Sequence, residues 1–545
     1  MKSFCGLTIV SGRATGPLVI DQIDIHEKSQ RSPEEEWQDF VSSKEELSQS
    51  LVERSRDESL SADTAAIFEA HQMMLEDPEF IQEIKTYISE GMSYEMAVYR
   101  AADDFAQVMS AIDDEYMQAR ASDIRDIAQQ LMGARNLDVE GKIVLKEEIF
   151  PSEVIAFTKA GAKGLLSLKG SATSHASILA KNAGLPFITN LPEEVMDLTG
   201  TVYLDECLMV ELTEDELKEF NEALVRDEAT KKKLAKLIHQ PGRTADGLKR
   251  QVSANISSME DLLGALEQGA EGVALFRTEF LFMKPELPTR EEQKELYSSL
   301  AKALKGKSFI IRTMDLGGDK VNPELDAGEE DNPFLGLRGI RLSFEKKQVF
   351  KTQLKAILEV ASEYPIKMMF PMITNLEDVY QVKELLSQVE TELQAEGAAY
   401  ERPLLGVMIE VPSALTLMKE FSEEVDFVSF GTNDLLQYTS ASDRMNSRVS
   451  RWYDPYQPGF LRHMARAIED ANGLHLGMCG DLAGDELLIP FWSALGFEEL
   501  GVPTSKILNT KHRLLEIKSR DRGEWIKSVL SSKTSEEVIK RLSHD

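Results

Sequence analysis

The chain has 545 residues, enough for several domains that each bury their own core. Its 42% hydrophobic and 28% charged residues are ordinary for a soluble globular protein. The net charge of -32 argues against non-specific binding to nucleic acid or anionic membranes and fits a basic protein partner, although acidity alone also serves solubility. No apolar run approaches the roughly 18 residues that a membrane helix needs, so we expect no direct membrane insertion.

The cysteines and the first residues bear on the compartment. Cys5, Cys207 and Cys479 are too few and too scattered for a disulfide framework, which favours a reducing compartment. The opening apolar segment, residues 4–10, is too short for the core of a signal peptide. We therefore predict a cytoplasmic protein.

A helical block follows a few short strands at the start of the chain. Residues 1–25 have the texture of short strands, after which Ser32, Pro33 and Glu35 form the pattern of an N-cap, a first-turn proline and a capping-box acid. Further along, Asp77 precedes Pro78 at the start of another predicted helix. We assign residues 26–136 to a helical domain.

The next segment changes to short apolar runs broken by glycine, which predicts a small α/β domain. Because the early strands can join its sheet, this domain takes in residues 1–25 and 137–212, and the helical domain becomes an insertion. Thr213 and Glu216 then begin a long charged helix that we expect to reach about His239. Pro241 and Gly242 stop it, so residues 213–244 form a helical linker.

The remainder, residues 245–545, repeats a strand-like run followed by a helical segment eight times. Eight such units predict a (β/α)8 barrel, in which chemistry sits at the carboxyl ends of the strands. A doubly wound open sheet is the alternative, which the count of eight disfavours. The apolar runs are residues 252–255, 272–276, 309–313, 368–372, 405–410, 427–431, 476–479 and 500–502.

Residues suited to phosphate chemistry occur in both the α/β segment and the barrel. His175 begins a predicted helix, and a helix N-terminus favours negative charge. Glu410 and Asp434 follow barrel runs and can hold a hard cation such as Mg2+. Arg277 and Arg312 supply planar forks for phosphate and carboxylate. Together these residues predict phosphoryl transfer from a small anionic donor to a histidine.

An ordered series of motifs along nearly the whole chain carries a family resemblance. The chain closely resembles Enzyme I of the bacterial sugar phosphotransferase system, the phosphoenolpyruvate–protein phosphotransferases. This resemblance makes the α/β domain a phosphohistidine domain, so the expected fold class is multidomain α/β, with an inserted helical domain and a following (β/α)8 barrel. The motifs are Phe68-Glu69-Ala70-His71, Asp113-Asp114-Glu115-Tyr116, Thr173-Ser174-His175, Arg277-Thr278-Glu279-Phe280-Leu281-Phe282-Met283, Arg312-Thr313-Met314-Asp315, Gly317-Gly318-Asp319-Lys320, Asn332-Pro333-Phe334-Leu335-Gly336, Gly431-Thr432-Asn433-Asp434-Leu435 and Gly477-Met478-Cys479-Gly480.

The resemblance implies a role for each candidate site residue. His175 would be the nucleophile that carries the phosphoryl group, and Cys479 would give a proton to the departing enolate. Glu410 and Asp434 would hold Mg2+, and Arg338 is a further candidate to face the substrate. The implied binding residues for phosphoenolpyruvate are Arg277, Arg312, Asn433, Asp434 and Arg444.

Partners also follow from the resemblance. The family passes its phosphoryl group to the histidine phosphocarrier protein HPr, releases pyruvate and forms a homodimer through the barrel. The acidic helical block would dock HPr, although at individual positions a solvated helical face is an equally good interpretation. The acidic residues considered are Glu69, Glu76, Asp113, Asp114 and Glu115.

Several positions depart from the family pattern and leave alternatives open. Ala172 stands where the family has an arginine before Thr-Ser-His, and Asp481 replaces a usual glutamate. Leu436 and Leu337 replace a usual Thr and a common Trp. A catalytically impaired sensor of phosphoenolpyruvate is therefore one alternative. A dikinase or phosphoenolpyruvate synthase is another, but no Gly-rich phosphate loop with Lys precedes the histidine.

Overall fold

The computed structural model of the chain divides into two compact units, Met1–Lys231 and Lys232–Asp545. The structure describes residues 2–21, 29, 31–55, 71–110, 115–132, 138–171, 175–283, 286–317, 325, 330–444, 446–471, 473–519 and 522–543. Each unit has its own hydrophobic core, as expected for a chain of this length.

An eight-stranded mixed sheet organises the first unit, with strand order β1-β8-β7-β3-β4-β5-β6-β2. Strands β3, β4, β5 and β6 pair with one another in parallel, whereas the pairs β1–β8, β8–β7, β7–β3 and β6–β2 are antiparallel. The early strands therefore join the later ones, as the sequence predicted. The strands are β1 Lys2–Phe4, β2 Leu7–Val10, β3 Ala14–Ile20, β4 Ile143–Glu148, β5 Gly164–Lys169, β6 Phe187–Thr189, β7 Thr201–Leu204 and β8 Leu208–Val210.

The helices of the first unit begin where the sequence places caps. The Ser32 N–H donates to Glu35 Oε2 at 2.9 Å, and the Glu35 N–H donates back to Ser32 Oγ at 3.3 Å, which completes the predicted capping box. Asp77 accepts from the backbone N–H of Glu79 and of Phe80. The helices are α1 Pro33–Ser55, α2 Pro78–Ser89, α3 Tyr94–Ser110, α4 Glu115–Leu131, α5 Pro151–Lys159 and α6 His175–Ala183.

A disulfide joins Cys5 to Cys207. This pairing corrects the expectation that the three cysteines are too few and too scattered for a disulfide framework. The two residues are 202 positions apart in sequence, yet their Cα atoms are 4.5 Å apart. The physical reason is strand pairing, because Phe4 of β1 lies opposite Leu208 of β8 in an antiparallel ladder. Sequence spacing cannot reveal such a contact, since it depends on the fold.

Helix α7, Glu214–Ala235, follows the sheet, and the boundary between the two units falls within it. Thr213 and Glu216 form the predicted capping box, with the Thr213 N–H 2.9 Å from Glu216 Oε2. The helix ends at Ala235, a few residues before the predicted end near His239. Within the first unit, Arg13 joins Asp205 of the β7–β8 turn to Asp227 of this helix, at 3.1 and 2.9 Å.

The second unit is built on a closed barrel of eight parallel strands, so the prediction of a (β/α)8 barrel is confirmed. The last strand closes on the first, with Leu500 opposite Val252. A small cluster that includes Ile310, Met369 and Cys479 forms a core distinct from the larger cluster of the unit. The strands are β9 Gln251–Ile256, β10 Gly272–Phe276, β11 Ser308–Arg312, β12 Ile366–Phe370, β13 Leu404–Ile409, β14 Phe427–Phe430, β15 His475–Met478 and β16 Glu499–Val502.

The helices of this unit also follow local sequence signals. Thr289 with Glu292, and Asn375 with Asp378, make capping boxes, and Gly397 ends a helix in the left-handed conformation that glycine adopts readily. The helices are α8 Met259–Glu267, α9 Glu279–Phe282, α10 Arg290–Leu304, α11 Ile340–Glu345, α12 Lys347–Ala361, α13 Leu376–Glu396, α14 Met418–Glu424, α15 Thr432–Ser440, α16 Pro458–Glu469, α17 Ile489–Leu495, α18 Ile507–Glu516, α19 Gly523–Leu530 and α20 Ser535–Leu542.

None of the helices in the described parts of the chain combines the length and the apolar character needed to cross a bilayer.

Candidate active site

The carboxyl ends of neighbouring barrel strands bring most of the predicted site residues together. Strands β13 and β14 pair in register up to Ile409 and Phe430, so Glu410 lies next to Gly431. A Cβ at position 431 would approach Glu410 Oε2 to 2.9 Å, which explains the glycine there. The short Gly431 turn leads directly into α15, whose first turn carries Asn433 and Asp434.

Arg312, the last residue of β11, is buried between two carboxylates. Its guanidinium contacts Glu279 of α9 and lies 3.1 Å from Asp315 Oδ2. Burial disfavours the charge, but the negative charges of Glu279 and Asp315 outweigh that effect and raise the pKa of Arg312. The guanidinium is thus a permanent buried cation at the strand end.

Arg338, which lies between β11 and α11 in the sequence, is a second buried cation. Its Nη2 lies 3.1 Å from Asp315 Oδ2 and 3.3 Å from Asp434 Oδ2, and its Nη1 donates to the Tyr438 hydroxyl at 3.2 Å. Burial opposes its charge, but Asp315 and Asp434 prevail and raise its pKa. Asp315 therefore bridges both buried arginines.

Glu410 is almost completely buried at the end of β13. Its Oε1 accepts the backbone N–H of Met372 at 2.6 Å, which fixes the carboxyl group. Burial and the charges of Asp315 and Asp434 raise its pKa to about 8. Burial and neighbouring negative charges disfavour the ionised form of this carboxyl group. A nearby cation stabilises that ionised form.

Asn433 and Arg444 surround Asp434 on the more open side. Asn433 Nδ2 donates to Asp481 Oδ2 at 3.0 Å, and the Asp481 N–H donates to Asn433 Oδ1 at 2.9 Å. Arg444 Nη1 lies 3.8 Å from Asp434 Oδ1, and its side chain is 28% exposed. Arg444 is therefore the more accessible of the cations around Asp434.

Cys479 follows β15 and is buried. Its thiol is free, whereas the two cysteines of the first unit are joined in a disulfide. Its backbone N–H donates to the Phe430 carbonyl at 3.1 Å, and its carbonyl accepts from Asn255 Nδ2 at 2.9 Å. Burial raises the pKa of the thiol to about 11, although Arg277 and Arg312 act in the opposite direction. Arg277, just after β10, is thus close enough to act electrostatically on this thiol.

Several buried polar atoms at the barrel mouth have no hydrogen-bond partner among the described residues. A buried polar atom without a partner is costly, so such a group calls for an explanation, for example a ligand. Two of them belong to the buried arginines themselves, and three belong to Glu279, to Thr313 next to Arg312 and to Thr432 at the start of α15. These atoms are Glu279 Oε2, Arg312 Nε, Thr313 Oγ1, Arg338 Nε and Thr432 Oγ1.

The oxygen atoms at the barrel mouth fit a magnesium ion. Glu410 and Asp434 come from adjacent strand ends and present carboxylate oxygens, the ligands that Mg2+ prefers. Magnesium usually takes one or two carboxylates together with substrate phosphates, and a complete protein cage is not required. The described residues contain no group of three or more His, Cys, Asp or Glu side chains arranged for a metal.

His175 lies in the first unit, as the first residue of α6. Its side chain, together with the predicted Ala172, Thr173 and Ser174, lies outside the described residues. In the first turn of α6, Ser177 Oγ donates to the Ser171 carbonyl at 2.6 Å. A Cβ at Gly170 would come within 2.5 Å of Thr189 Oγ1, so the turn out of β5 requires a glycine.

The other predictions for the first unit concern its acidic surface. Glu76 is exposed, as a docking residue must be. Glu69, Asp113, Asp114 and the side chain of Glu115 lie outside the described residues. The predicted docking surface is therefore represented here by Glu76.

Sequence reasoning missed part of the barrel constellation. Glu279 and Asp315 had no assigned role, and Arg338 was only a further candidate. A usable signal was present, because Asp315 follows Arg312 by three residues and Glu279 follows Arg277 by two. A carboxylate so close to an arginine in a strand-end loop can pair with it or with a neighbouring arginine.

Comparison with known proteins defines the class to which this fold and site belong. Three domain models of phosphoenolpyruvate-utilising enzymes match the chain: the N-terminal domain over residues 5–120, the mobile domain over 138–205 and the phosphoenolpyruvate-binding domain over 231–519. The chain is 38% identical over 500 residues to the phosphoenolpyruvate-protein phosphotransferase of Bacillus sp. (strain S), covering 88% of this chain and 86% of that protein. It is 36% identical over 515 residues to the enzyme of the same name from Bacillus subtilis (strain 168), covering 91% and 90%.

The chain belongs to the phosphoenolpyruvate-protein phosphotransferase family, a family of transferases, and the resemblance found in the sequence is confirmed. Among solved structures, an NMR solution structure of Enzyme I (nEIt) aligns with 41% of this chain and 99% of its own length. Its sequence identity of 23% and TM-score of 0.32 are too low to support any argument about this chain.

Proposed function

We propose that this chain transfers the phosphoryl group of phosphoenolpyruvate to its own His175 and then to HPr, releasing pyruvate, as the first step of the sugar phosphotransferase system. The observation that carries the proposal is the pair of buried arginines, Arg312 and Arg338, held beside Glu410 and Asp434 at the mouth of a closed barrel. Phosphoenolpyruvate places a phosphate and a carboxylate close together, and arginine forks match both groups.

The substrate would bind among the cations of the barrel mouth. Arg277, Arg312 and Arg444 are the proposed partners of its phosphate and carboxylate. Asn433 already uses its side-chain amide in the reciprocal pair with Asp481, so its backbone N–H is the better candidate to contact the phosphate. The unpartnered buried atoms around these residues support a polar ligand at this place.

Glu410 and Asp434 are the proposed ligands of Mg2+. When bound, the ion would neutralise charge on the phosphate, which is the main need in a loose phosphoryl-transfer transition state. The buried arginines add to this effect because they stay charged at all relevant pH values. Asp434 also pairs with Arg338, so the arginine holds this carboxylate in place.

The transfer itself breaks the phosphorus–oxygen bond of the donor and forms a phosphorus–nitrogen bond on the His175 ring. Imidazole is a competent nucleophile near neutral pH, and the position of His175 at the start of α6 favours the added negative charge. The leaving group is the enolate of pyruvate. Cys479 would give its thiol proton to the enolate carbon and take a proton back from solvent, because its raised pKa keeps the thiol protonated.

Domain roles follow from the proposed chemistry. Residues 1–25 and 137–212 would form the phosphohistidine domain, 26–136 the helical domain that binds HPr, and 213–244 the linker. Residues 245–545 would bind phosphoenolpyruvate and form the homodimer. The acidic balance of the chain supports a basic face on HPr as partner, and a cytoplasmic location follows from that relay.

Pyruvate release in the presence and absence of HPr tests the proposal. Purified chain with phosphoenolpyruvate and Mg2+ should release about one equivalent of pyruvate per chain, and added HPr should convert this burst into continuous turnover. Binding of phosphoenolpyruvate without pyruvate release would contradict the proposal and favour a sensor. A burst without HPr-dependent turnover would refute the HPr step alone.

A further inference from the structure

A single buried amide connects the two loops that carry Arg277 and Arg312. We propose that Gln353 is a positioning residue that fixes these loops relative to one another and thereby sets the affinity for phosphoenolpyruvate. This inference deepens the proposed function and rests on it. Gln353 touches neither reacting atoms nor the proposed metal ligands, so its effect would pass through the arginines.

Gln353 lies on α12, the helix that packs outside the barrel before β12, and its side chain is fully buried. Its Oε1 accepts the backbone N–H of Met314 at 3.0 Å, and its Nε2 donates to Thr278 Oγ1 at 3.2 Å. The same Nε2 lies 3.3 Å from the Tyr297 hydroxyl. Both ends of the amide are therefore engaged, and two of the three bonds reach strand-end loops.

Thr278 extends the connection to the backbone of the other arginine. Its hydroxyl donates to the Arg312 carbonyl at 3.0 Å while it accepts from Gln353. Thr278 is the neighbour of Arg277, and Met314 comes two residues after Arg312. The chain Met314–Gln353–Thr278–Arg312 thus closes a loop of hydrogen bonds around the ends of β10 and β11.

A purely structural role is the competing interpretation, since buried amides commonly stabilise cores. The network offers a way to separate the two roles, because it continues outward from Tyr297 to Gln293. Gln293 is equally buried, accepts from the Tyr297 hydroxyl at 3.1 Å and donates to the Pro288 carbonyl at 3.1 Å. It touches neither arginine loop, so its loss should affect stability alone.

The test compares Gln353→Met with Gln293→Met, since methionine keeps the length of glutamine but removes its hydrogen bonds. We expect Gln353→Met to raise KM for phosphoenolpyruvate about 10-fold, because small displacements of positioning groups cost this much or more. Gln293→Met should keep KM within about 2-fold while lowering the melting temperature to a similar extent. Transfer of label from phosphorylated protein to HPr should be unchanged in both variants.

A second variant covers a failure of Gln353→Met to fold. Thr278→Val is nearly isosteric and removes the hydroxyl that links Gln353 to Arg312. It should therefore raise KM for phosphoenolpyruvate, as Gln353→Met does. Equal KM values in the wild type and in whichever of these two variants folds would overturn the inference, as would an equal KM increase in Gln293→Met. If the wild type itself neither binds nor consumes phosphoenolpyruvate, the proposed function fails and the inference falls with it.

Discussion

Asn433 and Asp481 form a reciprocal pair across the ends of two barrel strands. The Asn433 amide donates to the Asp481 carboxylate at 3.0 Å, and the Asp481 N–H returns a bond to Asn433 Oδ1 at 2.9 Å. The family usually has a glutamate at position 481. In this chain the shorter aspartate holds Asn433, which precedes the proposed metal ligand Asp434.

Removal of this carboxylate should weaken substrate binding. We expect Asp481→Ala to raise KM for phosphoenolpyruvate about 10-fold, because Asn433 loses one of two bonds that orient the start of α15. Asp481→Glu should stay within about 3-fold of the wild type, since its backbone N–H and a carboxylate both remain. Steady-state pyruvate release measures both values, and an Asp481→Ala enzyme with wild-type KM would refute this role.

The buried pair of Arg312 and Glu279 should contribute strongly to stability. Glu279→Gln leaves a buried guanidinium with one carboxylate fewer, so we expect the free energy of unfolding to fall by roughly 3 kcal/mol. Three of the four tryptophans lie in the barrel unit, so denaturant unfolding followed by tryptophan fluorescence reports mainly on this unit. The transition is analysed for the barrel alone, because a chain of two units need not unfold in one step.

An exposed pair supplies the control for this measurement. Glu469 Oε2 lies 3.4 Å from Arg466 Nη1, and the side chains of Arg466 and Glu469 are 74% and 69% exposed. Glu469→Gln should change the free energy of unfolding by no more than about 0.5 kcal/mol. Equal effects of the two substitutions would contradict a stabilising buried pair.

Cys479 should behave as a thiol with a raised pKa. With a pKa of about 11, only about one part in a thousand is thiolate at pH 8, against about one part in ten for an ordinary cysteine of pKa 9.0. Because the thiolate fraction grows as pH rises, the rate of alkylation by iodoacetamide should still increase tenfold per pH unit between pH 8 and 10. A plateau near pH 9 would show an ordinary thiol and contradict this account.

Cys479 should also supply the proton that converts the enolate into pyruvate. Cys479→Ala is expected to lower the rate of pyruvate formation about 100-fold, a typical contribution of a positioned general acid. Binding of phosphoenolpyruvate, measured by calorimetry, should change little, because the thiol is not one of the proposed binding groups. Unchanged pyruvate formation would assign the proton to another group.

Glu410 should control the requirement for magnesium. Glu410→Gln keeps an oxygen that can accept the Met372 N–H but removes the negative charge. We expect the Mg2+ concentration for half-maximal pyruvate release to rise at least about 10-fold, because Mg2+ sites usually use only one or two protein carboxylates and Glu410 is one of the two proposed ligands. Glu420→Gln, an exposed substitution on α14, is the control, and an equal Mg2+ dependence in both variants would refute the assignment.

Much of the fold was predictable because local signals agree with the final architecture. The barrel strands are rich in apolar residues, since a parallel sheet is buried on both faces. Capping residues such as Thr213 and Ser32 mark helix starts. The Cys5–Cys207 disulfide was not predictable, because it depends on the pairing of the first strand with the last strand of the sheet.

The site was predictable in its residue types but not in its connections. Arg312 ends β11, Glu410 follows β13, and Asp434 lies in the first turn of the helix after β14, and the strand pattern of the sequence locates all three positions. The bridging position of Asp315 requires that Arg338, which is distant from Arg312 in sequence, lies beside it in the fold. No spacing rule fixes such a contact, so it emerges only from the folded chain.

The most direct test of the central claim is labelling with phosphorus-labelled phosphoenolpyruvate and Mg2+, comparing the wild type with His175→Ala. The account predicts an acid-labile label on the wild type and none on His175→Ala, while both proteins bind phosphoenolpyruvate equally, because the binding residues lie in the barrel. Equal labelling of both proteins would place the phosphoryl group elsewhere and contradict the account. No label on either protein, with binding intact, would contradict it as well and indicate a sensor of phosphoenolpyruvate.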